Sequence, residues 1–227
     1  MVAELRALVC SSQPMTVDPV QFCEARLPAF FESARQALEA MAASGDTVAK
    51  ARLSALTAEK VQTRLRFGGT PGEELWLLTD RSGLLVQRAQ PAPAPGSFGY
   101  ALEVTRGVAV LAIEQLERQE LRPEPIARAL LVMGSQKART LFSASRAAFD
   151  VTVLHVPVLG TTTVRLALGR TDLPARPDFS VQVEYDELED ARERGTPPHQ
   201  VFLAGKMKVD GDAAAAMRLA MTLAQLA

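Results

Sequence analysis

Cysteine is scarce in this 227-residue chain: there are two, Cys10 and Cys23. Two thiols near one end make no disulfide framework, and neither sits in a Cys-x-x-Cys pair, so a reduced setting without thiolate metal ligation is expected. Aromatic residues make up 5%, too few for base-stacking platforms. Neither sign of charge dominates. With 25 Lys and Arg against 26 Asp and Glu, the net charge is -1, which removes the electrostatic footprint of a nucleic-acid binder and any general attraction to anionic membrane. No apolar run reaches the length of a membrane span. Leu8-Val9-Cys10 is faintly like a lipoprotein cleavage site, but Glu4 and Arg6 interrupt a stretch already too short for a signal peptide. Without a targeting segment, a cytoplasmic location is expected.

Catalytic signatures are missing as well. There is no Gly-x-Ser-x-Gly elbow, no Gly-x-Gly-x-x-Gly and no phosphate loop with its lysine. The two histidines, His155 and His199, have no second ligand at metal spacing. They read as structural or surface residues, although a spatial triad leaves no trace in sequence. No catalytic residue, metal or cofactor is therefore expected, and the chain reads as a non-enzyme.

What is present is a composition with 48% hydrophobic and 22% charged residues, ordinary for a globular protein and sufficient for one large domain or two small ones. Periodicity predicts helix over 16–43, with Pro28 dividing it or starting a second helix, and a shorter helix over 47–56. Alternation then predicts strands at 61–67, 74–79, 84–88 and 98–105, followed by an amphipathic helix at 108–119. After a break at 122–125, residues 126–147 read as helical with a weak point at Gly134-Ser135. Strands follow at 149–158, 161–168 and 179–185, then a charged helix at 186–194. Residues 199–204 lead into a last strand over 205–210. Strands joined by tight turns, with helices gathered between them, predict an α+β fold: a twisted antiparallel sheet covered by helices. The two halves also rhyme, each with a hairpin, a proline-rich loop, a strand opening on phenylalanine and a helix. This divides the chain into an N-terminal α+β region, 1–122, and a second domain, 123–227, with the first either a diverged copy of the second or a packing partner for it.

The end of the chain is the most patterned part. Met207 and Val209 alternate with Lys206 and Lys208, Gly211 frees the backbone for a corner, and Asp212 is a good N-cap for a helix over 213–226. That helix is apolar around most of its circumference, with one narrow polar line, Arg218, Thr222 and Gln225. It must be buried against protein, cover an apolar ligand or touch a membrane. The lysines read either as a solvated strand face or as contacts for a carboxylate, phosphate or head group. The carboxylates of 186–193 spread over several helical faces and read as solvated.

Phe202, Gly205, Lys206, Lys208, Gly211, Ala216, Met217 and Leu219 together resemble the terminal pattern of the sterol carrier protein family, the type-two non-specific lipid-transfer domain. The resemblance is good over 178–226, extends in outline to 148, and departs from the family in having a short 170–178 loop where a third meander strand is usual. It implies a sterol-carrier-like sheet with an apolar tunnel under helices, its wall formed in part by the last helix. It further implies carriage of a fatty acyl chain, an acyl-CoA or a sterol- or isoprenoid-like molecule, with transient membrane contact. The expected ligand-binding residues are Phe179, Val181, Val183, Phe202, Met207, Val209, Met217, Ala220 and Met221, which the same alternation also allows to be plain core. The competing reading is a protein-interaction or accessory module that keeps the fold with the cavity filled by side chains and supports a lipid or isoprenoid pathway enzyme.

Overall fold

Asp18 opens the first helix of the computed structural model, which describes residues 18–55, 61–68, 73–80, 82–92, 98–117 and 135–226. Its carboxylate accepts from the backbone N–H groups of Val20 and Gln21 at 2.8 and 3.3 Å, and Pro19 takes the first helical position, where no N–H is needed. This helix, α1 (Pro19–Ala25), gives way at Arg26 to α2 (Leu27–Ala43). Pro28 thus begins a second helix. Asp46 caps α3 (Thr47–Ala55) through Val48 and Ala49. Leu38, Ala42 and Ala49 form a small core between α2 and α3, joined by Leu53.

The strands are β1 (Val61–Gly68), β2 (Glu74–Asp80), β3 (Gly83–Gln87), β4 (Phe98–Thr105), β5 (Ala147–Val156), β6 (Gly160–Leu168), β7 (Phe179–Glu184) and β8 (Lys208–Gly211). They form one sheet in the order β3-β2-β1-β4-β6-β5-β7-β8. The α+β class holds, but the sheet is mixed rather than purely antiparallel: β4 pairs parallel to β1, and β7 parallel to β5. Each half places a hairpin, β1–β2 or β5–β6, and then brings a third strand back beside the hairpin's first. The halves join where β4 meets β6, antiparallel, with Tyr100 opposite Leu168 and Glu103 opposite Arg165.

The remaining helices are α4 (Arg106–Glu117), α5 (Gln136–Ala144), α6 (Tyr185–Glu193), α7 (Pro198–Leu203) and α8 (Ala213–Leu226). Ser135 is the N-cap of α5, accepting from Ala138 N–H at 3.1 Å, so the helix starts where the weak point was expected. Residues 199–203 are helical rather than a lead-in to a strand. Gly205, at φ +72°, ends α7, with Gly205 and Lys206 N–H groups bonded back to Phe202 and Val201 carbonyls. That turn consumes the residues at 204–207 and shortens the last strand to β8. The 69–72 turn, the 93–97 loop tip, the 122–125 break, the first part of the 126–147 helix and Cys10 lie outside the described residues.

Strand register puts the apolar residues on one face. Two clusters form there. The first joins Phe98, Tyr100, Phe149, Phe179 and Val181 to Phe142 of α5 and Leu219 of α8. The second joins Leu65, Phe67, Leu75 and Val104 to Phe22 of α1 and Ile113 of α4. Burial raises the Cys23 thiol in this second cluster to about 11. The other face carries the charges: Arg64 pairs with Glu74 at 2.7 Å, Arg66 with Glu103 at 3.3 Å and Arg165 with Asp150 at 2.6 Å. Leu173 of the 170–178 loop crosses that face over Ala101, Ala148 and Ala167. Small residues are required there: a Cβ on Gly99 would lie 2.4 Å from Thr171 Cγ2.

Candidate functional site

The corner between β8 and α8 is fixed by backbone geometry. Gly211 has φ +96°, and a Cβ there would lie 2.9 Å from the Asp178 carbonyl oxygen. Asp178 holds three segments together: its N–H donates to Ala148 O at 2.7 Å, its carboxylate accepts from Ala148 N–H at 2.8 Å, and its carbonyl accepts from Asp212 N–H at 3.0 Å. Asp212 then caps α8, accepting from Ala215 N–H at 2.9 Å. Asp212→Ala is expected to lower stability by about 1 kcal/mol, the usual value of an N-cap, read as an earlier midpoint in urea.

From this corner α8 turns Ala216, Leu219 and Ala220 inward. Its expected polar line is not a solvent stripe. Thr222 is 5% exposed; its hydroxyl donates to the Arg218 carbonyl at 2.9 Å and lies 3.3 Å from Ser145 Oγ. A threonine can hide in this way because bonding its own helix backbone satisfies its hydroxyl.

The expected ligand residues separate into three groups. Phe179, Val181, Val183 and Ala220 are buried, and Phe179 stacks on Phe149 with ring centroids 5.1 Å apart. Phe202, Met207 and Val209 are half-buried against the first cluster. Met217 and Met221 are 46% and 51% exposed, on the outer face of α8. The structure does not bring these two methionines to the strand residues. Helix phase decides the matter: with Ala216, Leu219 and Ala220 inward, positions 217 and 221 point out. Side chains of the protein itself therefore occupy much of the space between α8 and β7.

Sequence reasoning missed a different apolar surface. On the helix side of the three middle strands, Leu102 of β4, Val151 and Val153 of β5, and Thr162, Val164 and Leu166 of β6 are all half-buried. Val151 and Leu166 border the first cluster, while Leu102 and Val164 border the second. The middle of a sheet is ordinarily its best covered part; here it is less covered than the clusters on either side. No ionisable residue stands on this floor, since register sends Glu103, Asp150 and Arg165 to the opposite face. Such a trough can take up an apolar group and disfavours a charge placed against it. The signal in sequence was the alternation within 149–158 and 161–168, but periodicity reports which face is apolar, not what covers it.

The polar candidates lie elsewhere. Lys206 is paired with Glu187, and Lys208 is exposed on β8. Among the described residues, no group of three or more His, Cys, Asp or Glu side chains is placed to hold a metal ion. His155 is exposed, with Nδ1 2.7 Å from Glu184; its φ is +56° and that of the exposed Val158 is +71°. Between α6 and α7 lies a small depression lined by Glu187, Asp190, Arg194, Gln200 and Lys206. Its charges are largely paired with one another. No helix among the described residues is long and apolar enough to cross a membrane.

Residues 129–224 match the model of the SCP-2 sterol transfer family. No curated protein sequence matches the chain. Among solved structures, sterol carrier protein 2 from Yarrowia lipolytica in its apo form is 15% identical, with 39% of this chain and 74% of that one covered and a TM-score of 0.27. The sterol carrier protein domain 2 of Helicoverpa armigera is 14% identical, over 60% and 94% of the two chains, with a TM-score of 0.27. A structure described as UbiJ-SCP2 ubiquinone synthesis protein is 9% identical over 95% and 96%, with a TM-score of 0.24. The carboxy-terminal half, from residue 129 to residue 224, is thus the part of this chain that resembles the SCP-2 sterol transfer family.

Proposed function

We propose that this protein is a non-enzymatic binder of a lipid or a similar apolar molecule, and that the ligand lies on the trough over β4, β6 and β5. The observation that carries this reading is the half-buried, charge-free middle of the sheet's helix side. The family match over 129–224 supports the class of ligand. The site sits beside the last helix rather than beneath it, because Phe179, Val181 and Leu219 pack together there. The two-part organisation, 1–122 and 123–227, belongs to the same proposal, and the recurring hairpin with its parallel third strand supports it.

The mechanism is desolvation. Twelve methylenes leaving water at ~0.8 kcal/mol each supply roughly 10 kcal/mol. Association costs at least about 4 kcal/mol, leaving an expected Kd of about tens of micromolar for a simple fatty acid. Titration of the full chain with a fluorescent fatty acid, read beside native mass spectrometry, tests the assignment. Val164→Lys should weaken binding by at least about tenfold, since the ammonium must be desolvated or must displace the ligand as it reaches for water. Leu85→Lys, at an exposed site on β3, should leave affinity unchanged. Absence of uptake by the wild-type chain in both measurements would refute the reading and favour the accessory module with a filled interior. The dense packing of Phe149, Phe179 and Leu219 is the observation on that side.

A further inference from the structure

Met217 and Met221 stand one turn apart on the outer face of α8, about half exposed, and they contribute little to the core. Ala213, Ala214 and Gln225 complete that face, and Arg218 stands exposed beside them. The helix alongside is α5: Thr222 of α8 reaches Ser145, the C-cap of α5, at 3.3 Å. From residue 135 to residue 149 the chain carries Lys137, Arg139 and Arg146 and no acidic residue, while α8 carries Arg218 and no acidic residue. Lys137, Arg146 and Arg218 are exposed. Asp212, at the α8 cap, offsets part of the Arg218 charge from 3.8 Å. In a chain of net charge -1, two neighbouring helices of wholly basic charge around an apolar pair make a local exception.

This composition suits a particular partner. Unbranched apolar side chains can enter the boundary layer of a bilayer, while arginine and lysine stay among anionic head groups. A second copy docked through the same face would bring Arg146 and Arg218 against their own equivalents, a like-charge contact. We propose that the α5–α8 surface docks this protein on an anionic lipid bilayer, with Met217 and Met221 entering the interface. The inference rests on the lipid reading above, for which a membrane is the source and destination of ligand, and it places the contact next to the trough's α8 side.

Co-sedimentation of the full chain with vesicles tests it, using phosphatidylcholine alone and phosphatidylcholine mixed with phosphatidylglycerol. Partitioning should be at least about tenfold stronger on the mixed vesicles and should fall with added salt. The double variants Met217→Ser/Met221→Ser and Arg146→Gln/Arg218→Gln should each drop to the neutral-vesicle level with unchanged circular dichroism. Equal binding to both vesicle types overturns the proposal, as does wild-type binding by the methionine variant. A wild-type dimer that dissociates in the methionine variant also overturns it, because the face then belongs to a second copy. Probe uptake without vesicles separates the two readings. A chain that takes probe but ignores vesicles loses the docking surface alone; one that sediments but takes no probe loses the trough alone.

Discussion

Gly169→Ala should destabilise the protein by more than about 4 kcal/mol, an effect in the range seen for the severest single substitutions. Two costs combine. Gly169 has φ +74°, where an L-residue costs roughly 1–2 kcal/mol. The added Cβ would also lie 2.3 Å from the Phe142 carbonyl oxygen and 3.0 Å from its carbon. Both are backbone atoms of α5, so no side-chain rotation relieves the clash. The end of β6 or the whole of α5 must move. Gly160 is the control, at φ +69° with nothing within 4 Å of an added Cβ. Gly160→Ala should cost about 1 kcal/mol, the conformational part alone. Urea unfolding of the pair isolates the clash as their difference. Equal midpoints would show that α5 does not sit against β6 as described.

Phe142→Ala should cost about 3–5 kcal/mol, the range for removing a buried aromatic ring. Phe142 is 0% exposed and meets Tyr100 edge-on, with centroids 6.0 Å apart. Tyr100 in turn meets Phe98 edge-on at 5.1 Å. These contacts tie α5 of the second half to β4 of the first, across the β4–β6 boundary. The void therefore opens beneath both halves, and collapse is hindered because the rings around it rest on different elements. A single transition at lower temperature, reported alike by far-ultraviolet circular dichroism and by Trp76 fluorescence, is the expected signature. A loss below about 1 kcal/mol, small for any core truncation, would mean that the two halves do not share this core.

These two sites show which parts of the molecule could be read from its sequence. Strand alternation at 179–184 and 61–67 exposed one apolar and one polar face, and the structure places them accordingly. The Gly211-Asp212 corner was legible because glycine at positive φ and an aspartate cap are local chemistry. The parallel pairings of β4 and β7 were not legible, since hairpin turns announce themselves and crossovers do not. Gly169 gave no sign of its role, because what makes it necessary is a carbonyl twenty-seven residues earlier in the chain, at Phe142. Met217 and Met221 looked like lining for the same reason that the trough was missed. An apolar residue in sequence carries no record of whether protein, ligand or solvent lies against it.

The junction of β4 with β6 has a consequence for assembly. It is head-to-tail: the returning strand of the first hairpin unit meets the second strand of the next unit's hairpin. Nothing in that rule closes on itself, so repetition with further copies would grow an open ribbon rather than a ring. Growth would continue at two places, the outer side of β2 and the outer side of β7. Those are the positions that β3 and β8 occupy. Outside β3 lies α2, and β8 is four residues long with Lys208 and Asp210 within it; a covering helix and a short charged strand both discourage further pairing. The two strands that break the likeness between the halves are also the two that keep the sheet finite.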